Sequence, residues 1–206
     1  PQVSDAHRTS PAANFPTITL TDGGSIILTG TVSFSGALAN GQFRFGLFDG
    51  DNPVAAGDGV GYAGFYAEAP DFDGPAVISS TDGTSTPHPF ATTGSSDLIS
   101  MSDPGVTPTA NTPLGFSLTI ARNGALVDVM ASITDGGSYT SSASVLGTAA
   151  VPGSFTYDSA AFLMGGSFVE PMTASFSNID VSYIPEPSTS LLGVLGALAL
   201  LRRNRA

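Results

Sequence analysis

The chain has no cysteine, no lysine and no tryptophan. The missing cysteine excludes a disulfide scaffold, a thiol nucleophile and any Cys-ligated zinc or iron–sulfur centre. Six arginines stand against 17 acids, for a net charge of −11. That balance excludes a basic nucleic-acid interface, because Lys and Arg charge is what holds the phosphate backbone. Charged residues make up only 11% of the chain, against roughly 25% in an ordinary soluble domain. Hydroxyls wet the surface instead: there are 26 Ser and 21 Thr. The 206 residues suffice for one domain, or at most two. Residues 1–14 are polar, with Asp5, His7 and Arg8, and contain no apolar leader. The chain does not begin with Met, and the simplest expectation is a leader already removed or a start inside a longer gene product.

The charge that is present is polarised. Arg202, Arg203 and Arg205 fall in the last five residues, while residues 1–184 carry three arginines against 16 acids, a net of −13. An acidic body with a basic tip is the result.

From about residue 15 the pattern is β. In 25–35, Ile26, Leu28, Gly30, Val32 and Phe34 alternate with mostly hydroxyl residues, which predicts a long strand with one buried face. Phe43, Phe45 and Leu47 set a second face, Leu114, Phe116, Leu118 and Ile120 a third, and Val127, Val129, Ala131 and Ile133 a fourth. Asn123-Gly124 predicts a type I′ hairpin turn, which needs positive φ at both central residues. In 173–183 the parity switches at Ser177-Asn178, which predicts a β-bulge. Shorter strands are expected at 17–20, 61–68, 98–102, 138–146 and 161–165. Seven of the fifteen prolines crowd 69–113, so that stretch reads as long loops with one or two short edge strands. About ten strands without intervening helices predict an all-β, two-sheet β-sandwich or jelly roll. Residues 1–14 form a disordered arm in this reading, and 15–184 form the sandwich.

The last segment, 185–206, has three parts in order. Pro185-Glu186-Pro187 comes first. An apolar run follows, carrying Leu191, Leu192, Val194, Leu195, Leu198, Leu200 and Leu201, and predicts a short C-terminal apolar helix. The cluster Arg202, Arg203, Arg205 closes the chain. Arginines at one end orient such a run with its terminus in the cytoplasm and the β domain across the membrane. The 14 residues 188–201 give about 21 Å of helix, against a hydrocarbon core of about 30 Å. A run this short suits a temporary handle better than a permanent anchor.

In these residues the tail resembles the PEP-CTERM sorting signal of Gram-negative bacteria. The resemblance implies export with a signal peptide, passage through the inner membrane on the C-terminal helix, and processing by a membrane protease of the exosortase type. It implies a final place at the cell surface or in the extracellular matrix, in association with exopolysaccharide or biofilm. The body is similar, in strand pattern and in the strings Phe43–Asp49, Gly61–Tyr66, Ser117–Arg122 and Ser177–Val181, to concanavalin A-like jelly-roll domains. That likeness implies a two-sheet sandwich with carbohydrate contact on one face.

Groups for catalysis are few. Glu68, Glu170 and Glu186 are the three glutamates, and no strand carries an alternating acid triplet. No G-x-S-x-G occurs, and His88 in Pro87-His88-Pro89 has no spaced partners. No catalytic residue and no enzymatic activity are expected, and no cofactor. Calcium is the one ion whose ligand spacing occurs: Asp49 with Asp51, and Asp71 with Asp73, place oxygens two residues apart. The aspartates read first as turn residues, since six of the fourteen precede glycine. For sugar contact the candidates are Tyr62, Tyr66 and Arg44, with Phe65 and Tyr139 beside them. In the plainer reading Phe65 is a core residue with the tyrosines at its rim, and Arg44 is the partner of an aspartate. The sequence therefore predicts an exported, non-enzymatic surface or matrix protein. The alternatives are a lectin-like carbohydrate-binding module, calcium-dependent or not, and a polysaccharide hydrolase or lyase.

Overall fold

Alternation of apolar and hydroxyl residues builds the strands over 25–34 and 114–120. The structure is a computed structural model that describes residues 11–35, 41–50, 60–69, 72–80, 95–100, 110–137, 140–149, 153–166 and 173–186. Eleven strands lie among them: β1 (Ala12–Thr19), β2 (Ser25–Phe34), β3 (Gly41–Asp49), β4 (Val60–Ala69), β5 (Phe72–Ser80), β6 (Ser95–Ser100), β7 (Leu114–Asn123), β8 (Leu126–Thr134), β9 (Thr140–Ala149), β10 (Thr156–Gly166) and β11 (Ala174–Ile184). They form a six-stranded sheet, β1-β10-β3-β4-β5-β6, and a five-stranded sheet, β11-β2-β7-β8-β9. Every pairing is antiparallel. The expected all-β, two-sheet sandwich is therefore what the chain forms. The apolar segment 188–201, and with it the expected C-terminal helix, lies outside the described residues. No helix among the described residues is long and apolar enough to cross a membrane.

The two inner faces meet in one aromatic-rich core. Phe43, Phe45 and Leu47 from β3 pack with Leu28, Phe116, Leu118 and Val129 from the opposite sheet. The Phe45 and Phe116 ring centroids are 4.9 Å apart, and Phe43 meets Phe116 edge-on at 5.5 Å. Offset and edge-to-face pairs of this kind add about 0.5–1.5 kcal/mol beyond the area they bury. The outer face of the five-stranded sheet mixes hydroxyls with a few exposed apolar residues, Leu126 and Met130 among them. Ser117 and Ser132 share a hydroxyl contact of 2.9 Å there, and Thr134 and Thr140 one of 2.8 Å.

Four expectations change. The arm does not extend to residue 14, because Ala12, Ala13 and Asn14 pair with Ala161, Ala160 and Ser159 at the sheet edge. The stretch 69–113 holds a nine-residue strand, β5, between β4 and β6 rather than at an edge. Pro75 is tolerated because it pairs only with Tyr66 on β4, and the β6 ladder begins at Ala76. The β7–β8 turn is shifted by one residue. Asn123 pairs with Leu126, and only Gly124 has positive φ, at 63°. Glycine at the first central position is the pattern of a type II′ turn, so Asn123 stays in the ladder. Finally, β10 runs from Thr156, five residues ahead of the expected start at 161.

Candidate functional site: the exit of the last strand

β11 carries the chain from the sandwich into the tail. It is an edge strand, paired with β2 from Ala174↔Phe34 to Ile184↔Ser25. The register slips between Ser177 and Asp180, and Asn178 has φ 53°. This is the bulge the parity switch predicts. Its consequence is geometric: Phe176 before it and Val181 and Tyr183 after it all pack against the core. The strand thus keeps one apolar face up to its last turn.

Beyond Tyr183 burial stops. Ile184 is 51% exposed, and Pro185 and Glu186 are exposed. Proline has no N–H to extend the ladder, so pairing ends there for a covalent reason. Ile184 and Glu186 each precede a proline, which steers both toward extended backbone. An extended, unpaired, accessible segment is what a peptide-reading enzyme can engage.

The tail is seated on the β1–β2 turn. Glu186 lies over Gly23, and a Cβ added at Gly23 would sit 2.8 Å from Glu186 Cγ and Cδ. Gly23 has φ +75°, a conformation glycine adopts without penalty. Tyr183 Oη and Thr21 Oγ1 are 2.9 Å apart. The Gly24 N–H donates to Thr21 O, the Gly23 N–H to Arg122 O, and the Arg122 N–H to Gly24 O. The Arg122 side chain ties the same turn down. Its Nη1 donates to Leu20 O and its Nε to Gly124 O, both at 2.9 Å. Its guanidinium lies 3.8 Å from the Phe155 ring centroid. Asp22 completes the seat by accepting from the Gly124 N–H at 2.7 Å.

Of this seat, sequence reasoning found Pro185 and Glu186 and missed Gly23, Thr21, Tyr183 and Arg122. The signal for Gly23 was the Asp22-Gly23 pair, which reads as a turn but not as the support of a residue 163 positions later. Pro187, Leu191, Leu192, Val194, Leu195, Leu198, Leu200, Leu201, Arg202, Arg203 and Arg205 lie outside the described residues, as do His88, Tyr139, Asp51 and Asp71.

The sugar-contact candidates do not form a surface. Tyr62 has no exposed area and belongs to the core cluster, because β4 sets it opposite Leu47 on the inward face. Arg44 is only 5% exposed. Tyr66 is placed by its backbone alone, opposite Phe43. Tyr157 is buried near Tyr62, and burial pushes its phenol pKa up, with Tyr62 and Asp49 adding to the effect.

The aspartates work locally. Asp49 Oδ2 accepts from Thr156 Oγ1 at 2.8 Å and from Ser154 Oγ at 3.3 Å. Asp158 Oδ1 accepts from the Gly50 N–H, Asp128 Oδ1 from the Gly147 N–H and Asp135 Oδ1 from the Gly137 N–H. Of the two calcium pairs, only Asp49 and Asp73 are described, and they lie far apart. Asp49 pairs with Val60 and Asp73 with Glu68, at opposite ends of β4, which is about 27 Å along a strand. Among the described residues no group of three or more His, Cys, Asp or Glu could hold a metal ion.

No protein-family model matches this chain, and no curated protein is significantly similar to it. Solved structures resemble it at low identity. An alginate lyase from Aplysia kurodai is 13% identical with a TM-score of 0.49, over 80% of this chain and 71% of that one. A legume lectin-like domain from Entamoeba histolytica is 9% identical with a TM-score of 0.45, over 86% and 79%.

Proposed function

We propose that this chain is an exported surface or matrix protein, non-enzymatic, whose β-sandwich is cargo and whose C-terminal segment is a PEP-CTERM-type sorting signal. The observation that carries this reading is the abrupt exit at Ile184. The ladder of β11 ends, and Pro185 and Glu186 stand exposed next to a folded body. In this reading an exosortase-type protease engages the Pro185–Pro187 motif, while the run 191–201 enters the inner membrane and Arg202, Arg203 and Arg205 stay on its cytoplasmic side. The hydroxyl-rich, acidic body then reaches the cell surface or matrix, in association with exopolysaccharide.

The lectin-like alternative loses support from the burial of Tyr62 and Arg44. Tyr62 was to supply part of the exposed aromatic plane that is the usual platform for a sugar ring, and it lies in the core instead. The test is processing in cells. Glu186→Ala, or deletion of 188–206, is expected to change both the mass of the product and its cell fraction. The same mass and location as the parent chain overturn the proposal.

A further inference from the structure

Phe48, Ala63, Ala161 and Leu163 are 0%, 2%, 0% and 2% exposed, yet none belongs to the core cluster between the sheets. Alternation explains why. In β3, Phe43, Phe45 and Leu47 point at the five-stranded sheet, so Arg44, Gly46 and Phe48 point away from it. Gly46 pairs with Ala161 on one side and Ala63 on the other, and Leu163 pairs with Arg44. These residues form one patch on the reverse side of the six-stranded sheet. Ser159, also on that side and fully buried, turns its hydroxyl inward to Phe48 O at 3.2 Å. The patch is thus largely apolar, with Arg44 at one end and the Phe48 ring lying over Gly46 at the other. Such burial on an outer sheet face requires a covering layer. No described strand supplies one, since each belongs to one of the two sheets.

The rest of the chain offers few covers of the right chemistry. Segments 51–59, 81–94 and 101–109 are dominated by Asp, Pro, Ser, Thr and Gly, 1–10 is polar, and 36–40 and 167–172, though partly apolar, are five- and six-residue links between strands of different sheets. The run Leu191–Leu201 is uninterrupted Leu, Ala, Val and Gly. It also starts in the right place. Glu186 rests on Gly23, in the turn that leaves β1, and β1 lies two strands from β3, about 10 Å. The five residues 187–191 span up to about 17 Å. The eleven residues of the run make about 16 Å of helix, against about 13 Å of strand from Arg44 to Phe48.

We propose that, before processing, residues 191–201 pack on this reverse face and shelter the membrane-seeking run until it meets the bilayer. The docking stands on burial, composition and reach; its consequence for sorting rests on the function proposed above.

The absence of cysteine allows a direct test on the purified full chain. Nitroxides are attached at Ala199→Cys and Ser154→Cys, and their separation is read by pulsed electron paramagnetic resonance. Docking predicts one narrow distance population. Leu163→Asp on the face and Leu195→Asp in the run should each broaden it toward the spread of a free 13-residue segment, about 20 Å. The tail variant lies outside the sandwich, so it reports even if the face variant does not fold. A broad population in the parent chain, or a narrow one that Leu195→Asp leaves unchanged, overturns the docking. Failure of the sorting function shows separately, as an uncleaved tail in cells, and leaves the distance intact.

Discussion

Glu186 lies over Gly23, 163 residues earlier in the chain, with its Cγ and Cδ occupying the space a Cβ at Gly23 would need. The glutamate at the centre of Pro185-Glu186-Pro187 therefore rests on the folded body. The seat exists only in the folded state, because Thr21 after β1, Arg122 and Gly124 at the β7–β8 turn, and Tyr183 near the end of β11 come together to build it.

Gly23→Ala measures that seat. Glu186 is an exposed, flexible side chain and can move aside, so the clash itself is cheap. The φ of +75° costs more, since an L-residue in that conformation loses about 1–2 kcal/mol. The expected result is a lower midpoint in denaturant by that amount, with unchanged slope, together with loss of nuclear Overhauser contacts between residues 23 and 186.

Arg122→Ala removes two side-chain hydrogen bonds to carbonyls and the stack on Phe155. Charged-group hydrogen bonds contribute about 1.5–3 kcal/mol each at best, and Arg122 is half-buried, so the expected loss is about 2–3 kcal/mol. A double-mutant cycle with Phe155→Leu should return about 0.5–1 kcal/mol of coupling for the cation–π contact. No coupling would place the whole effect in the hydrogen bonds.

Phe116 bridges the sheets, within 4.9–5.7 Å of Phe45, Phe43 and Phe162. Phe116→Ala is expected to cost about 3–5 kcal/mol, read in the same denaturant titration. A loss under about 1 kcal/mol would mean the core is not packed as described.

Tyr157 sets the alkaline limit. Its pKa is raised in the fold by burial first, then by Tyr62 and Asp49. The stability this represents is fully present below the unfolded tyrosine pKa of about 10 and fades as pH rises above it. Denaturation midpoints should thus fall above pH of about 10, and Tyr157→Phe should flatten that fall. An equal fall in both proteins would assign it to other groups.

Much of this architecture was legible in parity. Ile26, Leu28, Val32 and Phe34, or Leu114 through Ile120, could face inward only as strands, and the phase slip at Ser177-Asn178 marked its bulge. What escaped had non-local causes. Pro75 argued against a strand, yet it falls just past the end of the β6 ladder, which no local pattern reveals. Asn123-Gly124 announced a hairpin, but glycine alone took the positive φ. Tyr62 and Tyr66 sit at the same parity, and nothing local told whether that face was wet or dry. The motif at Pro185-Glu186 was plain in the sequence; its support by Gly23 and Arg122 depends on strand ends brought together by the fold.

The central claim is that the final two dozen residues are an address that is read and removed. Intact-mass spectrometry of the mature C-terminus from fractionated cells tests it most directly. The account predicts a surface or extracellular product that has lost Arg202, Arg203 and Arg205 by cleavage at or near the Pro185–Pro187 motif. A full-length chain in the cytosol, with those arginines in place, would contradict it.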